Sequence, residues 1–417
     1  MIQRITIVTL VLLISASFLA ASEAATVNPE GQGFSSERLQ RISTVMQDYV
    51  DRREFPGISV TVARHGKVVF SERYGYMDIE SKKKLSSDAI YRAYSMSKPI
   101  TGAAAMMLFE EGKFLLDDPI SKYIPAFKDA KVFVKETDND PALEDCKKEI
   151  TIRHLLCHSS GLGYGWGSDP VSKIYQEADL FNQSRNLEQM VDKLATLPLY
   201  YQPGTDWQYS LSIDVIGRLI EVVSGMTLDE FFQKRIFTPL GMKDSGFYLS
   251  KENRNRITTL YRYNQSKELV PNHSISRYTK GENRMLSGGG GLLSTTADYL
   301  KFLLMLSNGG EYNGVRLLSP QTIQLMGRNH LEDGISLPWG KLKGHGYGLS
   351  VSVLTDLSKS QCMGSVGDFG WDGAASTFMR VDPKTGIAIL LMTHRMPCDD
   401  RIQLKLKNLV YQALIEK

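Results

Sequence analysis

Cysteine is scarce in this chain, and apolar runs are missing after its first residues; each absence excludes something. Only four cysteines occur in 417 residues. No two of them have the C-x-x-C spacing of a structural zinc or dithiol redox site. After residue 25 no segment approaches the run of about 20 apolar residues that a membrane-spanning helix needs. An excess of one charge is missing too. The 49 basic and 46 acidic residues leave a net charge of +3, and no basic cluster interleaved with aromatics offers a nucleic-acid face. There is no HExxH, no Walker loop and no GxSxG, which removes three common enzyme frameworks. The run Gly288 to Gly291 lacks the strand-and-helix frame of a phosphate loop and reads as a tight turn. No metal or cofactor is expected.

What is present is ordinary globular material, 42% hydrophobic and 23% charged, long enough for one large or two smaller domains. The first residues stand apart. Arg4 precedes an apolar stretch from Ile5 to Ala21, and Ser22-Glu23-Ala24 supplies small residues at the positions a signal peptidase reads. Residues 1–24 are therefore expected to be a signal peptide cleaved near Ala24, with an uncleaved anchor as the alternative. No cysteine follows for lipid attachment. The mature protein is expected to be periplasmic or secreted, without stable membrane insertion.

Leu39, Ile42, Val45, Met46, Tyr49 and Val50 recur at helical spacing. Two strands, Ile58 to Ala63 and Lys67 to Glu72, are joined at Arg64-His65-Gly66. A helix rich in Ala, Met and Leu covers Ser95 to Glu111. From about Asp117 to Lys280 the pattern is helices and long polar loops with no clear strand pairs. Strands return at Gly348 to Leu354, Ala375 to Val381 and Ile387 to Thr393, the last two joined by a turn at Asp382 to Gly386. A closing helix carries Leu406, Leu409, Val410, Ala413 and Leu414. This order predicts an α/β (α+β) fold: an antiparallel sheet built from both ends of the chain and covered by the terminal helices, plus a mostly helical lobe. The sheet lobe spans about 34–116 and 285–417, the helical lobe about 117–284, within one catalytic unit, 25–417. Small-molecule sites favour the cleft between such lobes. Cys362 and Cys398 flank the predicted hairpin and could pair at its open end; Cys157, in an apolar stretch, reads as a buried thiol.

Ser95-Met96-Ser97-Lys98 has S-x-x-K spacing, which places both side chains on one face of a helix start. Pro99 agrees with a first turn. The positive helix terminus favours a neutral Lys98 and an ionisable Ser95, the needs of a Ser–Lys nucleophile. The spacing alone is weak, because Ser81-Lys82-Lys83-Lys84 repeats it in a solvated turn.

The stretch Tyr91 to Lys98, then Leu116-Asp117-Asp118-Pro119 and Tyr123, resembles the β-lactamase-like serine hydrolases: class C β-lactamases, DD-peptidases and family VIII carboxylesterases. The resemblance continues at Leu155 to Leu162 and at Gly289-Gly290-Gly291-Leu292 with Ser294-Thr295, and covers essentially the whole mature chain. It implies a second catalytic element at Tyr209, in Trp207-Gln208-Tyr209-Ser210-Leu211. A Lys98 ammonium beside it would lower the phenol's pKa. Because such groups titrate together, the base role belongs to the pair. His158 and Asp214 suggest a triad, but this family uses lysine and tyrosine, and His158 reads as structural.

The family's third element is K-T-G. Lys384-Thr385-Gly386 matches it literally but lies in the hairpin turn, ten extended residues (~33 Å) beyond Ala374. Trp371-Asp372-Gly373 is the better match, in the form found in family VIII carboxylesterases. It implies an oxyanion hole formed by the backbone N–H groups of Ser95 and Ala374. Leu211 stands where class C enzymes carry an amide-binding Asn, and Trp371 where they carry a carboxylate-binding Lys. Both changes favour a neutral ester with an apolar part. A β-lactam or D-Ala-D-Ala peptide is the alternative substrate, and a non-catalytic binding protein on this scaffold the third reading. These motifs do not encode the oligomeric state.

Overall fold

The computed structural model describes residues 26–135, 141–182, 184–281 and 285–416. The predicted signal segment lies outside them. Eight strands form the main sheet: β1 (Gly57–Arg64), β2 (Lys67–Asp78), β3 (Lys83–Lys84), β4 (His345–Tyr347), β5 (Ser352–Leu354), β6 (Phe369–Asp372), β7 (Phe378–Asp382) and β8 (Ile387–Thr393). Their order is β4-β5-β6-β7-β8-β1-β2-β3, so the C-terminal strand β8 lies beside the N-terminal strand β1. Ile58 faces Thr393 and Arg64 faces Ile387 in that antiparallel pair.

Strand β8 is buried on both faces, and its alternation shows what covers each. Ile387, Ile389 and Leu391 join the cluster that contains Leu39, Ile42 and Met46 of helix α1 (Ser36–Asp51). Ala388, Leu390 and Met392 join the larger cluster on the other side. That cluster includes Ile100 and Met106 of α2 (Ser97–Glu110), Leu219 of α3 (Ser212–Ser224) and Phe302 of α4 (Thr296–Ser307). The final helix, α5 (Asp400–Tyr411), packs beside α1 through Ile402, Leu406 and Val410. A strand with period-two burial on both faces needs apolar residues throughout, which is why β8 reads as an unbroken apolar run.

Several sequence expectations are corrected. The segment Gly348 to Leu354 is not one strand: the chain breaks at Ser350, held at φ 69°, and only Ser352–Leu354 continues. The strand expected from Ala375 begins at Phe378, and Phe369–Asp372 forms a separate neighbour, with Trp371 opposite Met379. The helical middle also holds two hairpins, Lys131–Lys135 with Ala142–Asp145 and Leu260–Tyr263 with Leu269–Asn272. Cys362 and Cys398 are free thiols. Cys362 Sγ faces the Leu404 carbonyl at 3.5 Å, and Cys398 Sγ faces Asp400 Oδ1 at 3.6 Å. Each sulfur thus faces helix α5 and not the other thiol.

Candidate active site

Ser95 lies on a short 3-10 turn, Tyr94–Met96, immediately ahead of α2. The chain enters from strand Ile90–Arg92, which pairs with Leu293–Thr295 and so brings the glycine run alongside the helix start. Tyr94 is held at φ 46°, a left-handed conformation that costs a side-chain-bearing residue about 1–2 kcal/mol. Flanking contacts impose it. The Ala93 N–H donates to the Leu292 carbonyl at 2.9 Å, and the buried Tyr299 hydroxyl donates to the Met96 carbonyl at 2.7 Å. Thr101 Oγ1 donates to the Gly288 carbonyl at 2.7 Å, and the Leu292 N–H to Ser97 Oγ at 3.1 Å. Two of the four glycines are packing requirements: a Cβ on Gly289 would meet Asp214 Oδ2 at 2.5 Å, and one on Gly291 the Ser287 carbonyl at 2.9 Å.

Lys98 is fully buried. Its ammonium donates to the Gly289 carbonyl at 2.6 Å, to Tyr164 Oη at 3.2 Å and to Ser95 Oγ at 3.3 Å. It also stands 4.5 Å from the Tyr209 ring centre. Burial pulls its pKa down to about 7, against the opposing pull of Asp214 and Asp372. A lysine in this state can accept a proton near neutrality. Asp214 is buried too, accepting from Ser287 Oγ at 2.6 Å and the Gly289 N–H at 3.1 Å. It therefore holds the loop whose carbonyl fixes Lys98.

Tyr209 precedes α3, and its hydroxyl accepts from Trp371 Nε1 at 3.2 Å. The predicted fall in its pKa is reversed. Burial raises it, more than the Ser95 hydroxyl and the Trp371 indole lower it. The supposed cause is also weakened, because Lys98 is itself easily deprotonated. His158 is a buried imidazole on Ser210 Oγ at 3.0 Å, with its ring 4.9 Å from that of Tyr209. Burial pushes its pKa well down, so it supports Tyr209 as a neutral ring.

Trp371 lies next to the end of strand β6, beside Tyr209 and at the opposite end of β7 from Lys384-Thr385-Gly386. That tripeptide forms the β7–β8 turn and packs on the β1–β2 turn, where the His65 N–H donates to the Gly386 carbonyl. The turn after Trp371 closes through Gly373 N–H to the Thr377 carbonyl at 2.9 Å, so residues 373–377 are not extended. Gly373 abuts the nucleophile's approach, since a Cβ there would meet the Ala93 carbonyl at 2.5 Å. The N–H groups of Ser95 and Ala374 donate to no backbone oxygen among the described residues. Leu211 is completely buried in the core beneath α3 and offers a substrate no surface, contrary to expectation. Asp372 is also engaged: Lys341 Nζ lies 2.5 Å from its Oδ2 and 2.7 Å from Asp400 Oδ1. Asp372, Cys398 and Asp400 converge within 4.8 Å, and the Lys341 ammonium supplies the positive charge between the carboxylates.

The sequence reading missed Tyr164 and Trp339. Tyr164 lies two residues beyond the Leu155 to Leu162 block, and only its place in a glycine-punctuated loop could have drawn attention. Trp339 comes from an irregular loop and sets its ring 5.1 Å from that of Tyr209.

A serine beside a buried, readily deprotonated lysine and a tyrosine, where an antiparallel sheet meets a helical layer, is the arrangement of a serine hydrolase. The chain belongs to the Beta-lactamase family, whose model matches residues 42–412. It is 34% identical to Protein Rv1367c of Mycobacterium tuberculosis, over 84% of this chain and 89% of that one. It is 26% identical to Esterase EstB of Burkholderia gladioli, over 89% of this chain and 94% of the other. Among solved structures it resembles EstCE1, a hydrolase with promiscuous acyltransferase activity, at TM-score 0.78 and 28% identity, covering 90% and 99% of the two chains.

Proposed function

We propose that the protein cleaves carboxylic esters through an acyl-enzyme on Ser95. The observation that carries this reading is the 3.3 Å approach of Lys98 Nζ to Ser95 Oγ, with Trp371, an apolar wall, at the third element. Lys98 in its neutral form takes the Ser95 proton as Oγ attacks the ester carbonyl carbon. The resulting oxyanion is received by the Ser95 and Ala374 N–H groups. Collapse breaks the bond to the alcohol oxygen, which takes its proton from the Lys98–Tyr209 pair. Water then attacks the acyl carbonyl carbon, giving up a proton to the same pair; the bond to Ser95 Oγ breaks, the pair returns that proton to Oγ, and the carboxylic acid leaves. The Tyr209 phenol, kept protonated by burial, acts as a donor in this cycle. Lys341, the cation beside Asp372, is neutralised by two carboxylates and is not available to a substrate carboxylate. The esterase relative supports the same reading. We also infer export, from the first 24 residues.

Two measurements test this. A panel of p-nitrophenyl butyrate, nitrocefin and a D-Ala-D-Ala peptide is expected to show the highest kcat/KM on the ester. Nitrocefin turnover well above it would move the assignment to a β-lactamase, and peptide turnover above it to a DD-peptidase. The pH profile should rise as Lys98 loses its proton, with a limb near pH 7. A flat profile between pH 6 and 8 would remove Lys98 as the base.

A further inference from the structure

Beyond Tyr209 the cleft opens into a cavity of about 330 Å³. Aromatic rings from three separate segments wall it: Trp166, Tyr200, Trp207, Tyr209 and Trp339. The walls form a corner. Trp339 stands at 88° to Trp207 and at 68° to Tyr209, with centroids 5.5 and 5.1 Å apart. Trp166 is 70% exposed and stacks at 4.2 Å on Tyr164. A corner of rings presents π-faces from several directions, which suits a round group better than a flat one.

The cavity's charge is one-sided. Asp169 lines it, and no lysine, arginine or histidine does so among the described residues. Asp169 stays ionised because Ser172 holds it, through its N–H at 2.9 Å and its hydroxyl at 2.6 Å. Those bonds cap the helix Pro170–Glu177, and the Ser172 hydroxyl also meets Tyr200 Oη at 3.0 Å. Asp169, Ser172 and Tyr200 are thus bonded to one another. What they leave for a ligand is a negative field and ring faces. Lys341 stands 5.6 Å from the Trp339 ring, but its charge is outweighed by Asp372 and Asp400. A neutral arene would gain nothing from the carboxylate. A quaternary ammonium uses both features present and needs no hydrogen bond.

We propose that this cavity holds the quaternary ammonium group of a cationic ester, seated against Trp166, Trp207, Trp339 and Tyr209 beside Asp169. The proposal rests on the esterase reading and narrows its substrate class. The probe pair is butyrylcholine and 3,3-dimethylbutyl butyrate, in which carbon replaces the charged nitrogen. Wild-type kcat/KM should favour the cation by about tenfold. Asp169→Asn keeps a helix-capping side chain while removing the charge, and Trp339→Leu removes a wall; in each the ratio should fall to about two- to threefold. Comparable rates for the two esters in wild type, or a ratio unmoved in both variants, would overturn the proposal while leaving the esterase reading intact.

A second readout does not depend on turnover. Three of the chain's four tryptophans, Trp166, Trp207 and Trp339, line this cavity, and the fourth, Trp371, stacks on Trp339 at 6.0 Å. Tetramethylammonium chloride should therefore produce a saturable change in intrinsic emission that sodium chloride does not, weakened in Asp169→Asn. No change in wild type would overturn the cavity assignment. Loss of p-nitrophenyl butyrate turnover alongside a normal emission change would instead count against the ester chemistry.

Discussion

Ser95→Ala is expected to lose p-nitrophenyl butyrate turnover by ~10⁴-fold or more, as removal of a nucleophile does where its partners act as a unit. The backbone around position 95 should not change, because Tyr94, Ala93 and Met96 are held by main-chain and Tyr299 contacts that do not involve the Ser95 hydroxyl. Circular dichroism and an unfolding midpoint within ~2 °C of wild type would show that the chemistry alone was removed. A fluorophosphonate probe should label the parent chain and leave the variant unlabelled. Residual ester turnover above one-hundredth of wild type would show that another nucleophile acts.

Lys98→Met is expected to lower kcat/KM by ~10³-fold and, at neutral pH, to raise the unfolding midpoint by ~2–5 °C. The second half follows from linkage. Lys98 in the folded chain has a pKa near 7, against 10.5 for a free lysine. The unfolded chain therefore binds more protons between those values. The cost to folding is full below pH 7 and vanishes above about 10.5. That gap corresponds to ~5 kcal/mol at its limit, offset in part by the contacts Lys98 makes with Gly289, Tyr164 and Ser95. Methionine fills a similar volume without the charge. Wild type should gain stability as pH rises from 7 towards 10, and the variant should lack that gain. Lower stability in Lys98→Met at pH 7 would mean that those contacts outweigh the cost of burying the amine.

How much of this was legible in the sequence depended on whether a residue's role was local. The Ser95–Lys98 pair is an i, i+3 relation and Pro99 marks the same helix start, both local signals, although Ser81 to Lys84 repeats the spacing and the assignment needed the later Tyr209 and Trp371 elements as well. The placement of Trp371 over Lys384 was readable because the Lys384 tripeptide lies in the hairpin turn, at the far end of the strand from Trp371. The roles of Tyr164 and Asp214 are products of tertiary folding: each reaches Lys98, directly or through Gly289, from a distant segment with no periodic signal. The error over Tyr209 has the same origin. A charge-pair argument can be made from two residue names, whereas the burial that outweighs it belongs to the packed structure. Strand β6 was missed because Phe369–Asp372 has four residues, one of them Gly370, with Gly373 directly after it, too few for alternation to register. Leu211 was assigned to the substrate surface from its place in a motif, yet an apolar residue at the start of α3 is drawn into the core.

The pairing of β1 with β8 also constrains how the molecule comes into being. Ile58 must wait for Thr393, and at about 5–20 residues per second on the ribosome that wait lasts tens of seconds. Throughout it, β1 has an open edge where β8 will later lie. The central sheet can close only when synthesis is nearly finished, so a chain truncated before β8 would be left with an exposed, aggregation-prone edge in place of a smaller working enzyme.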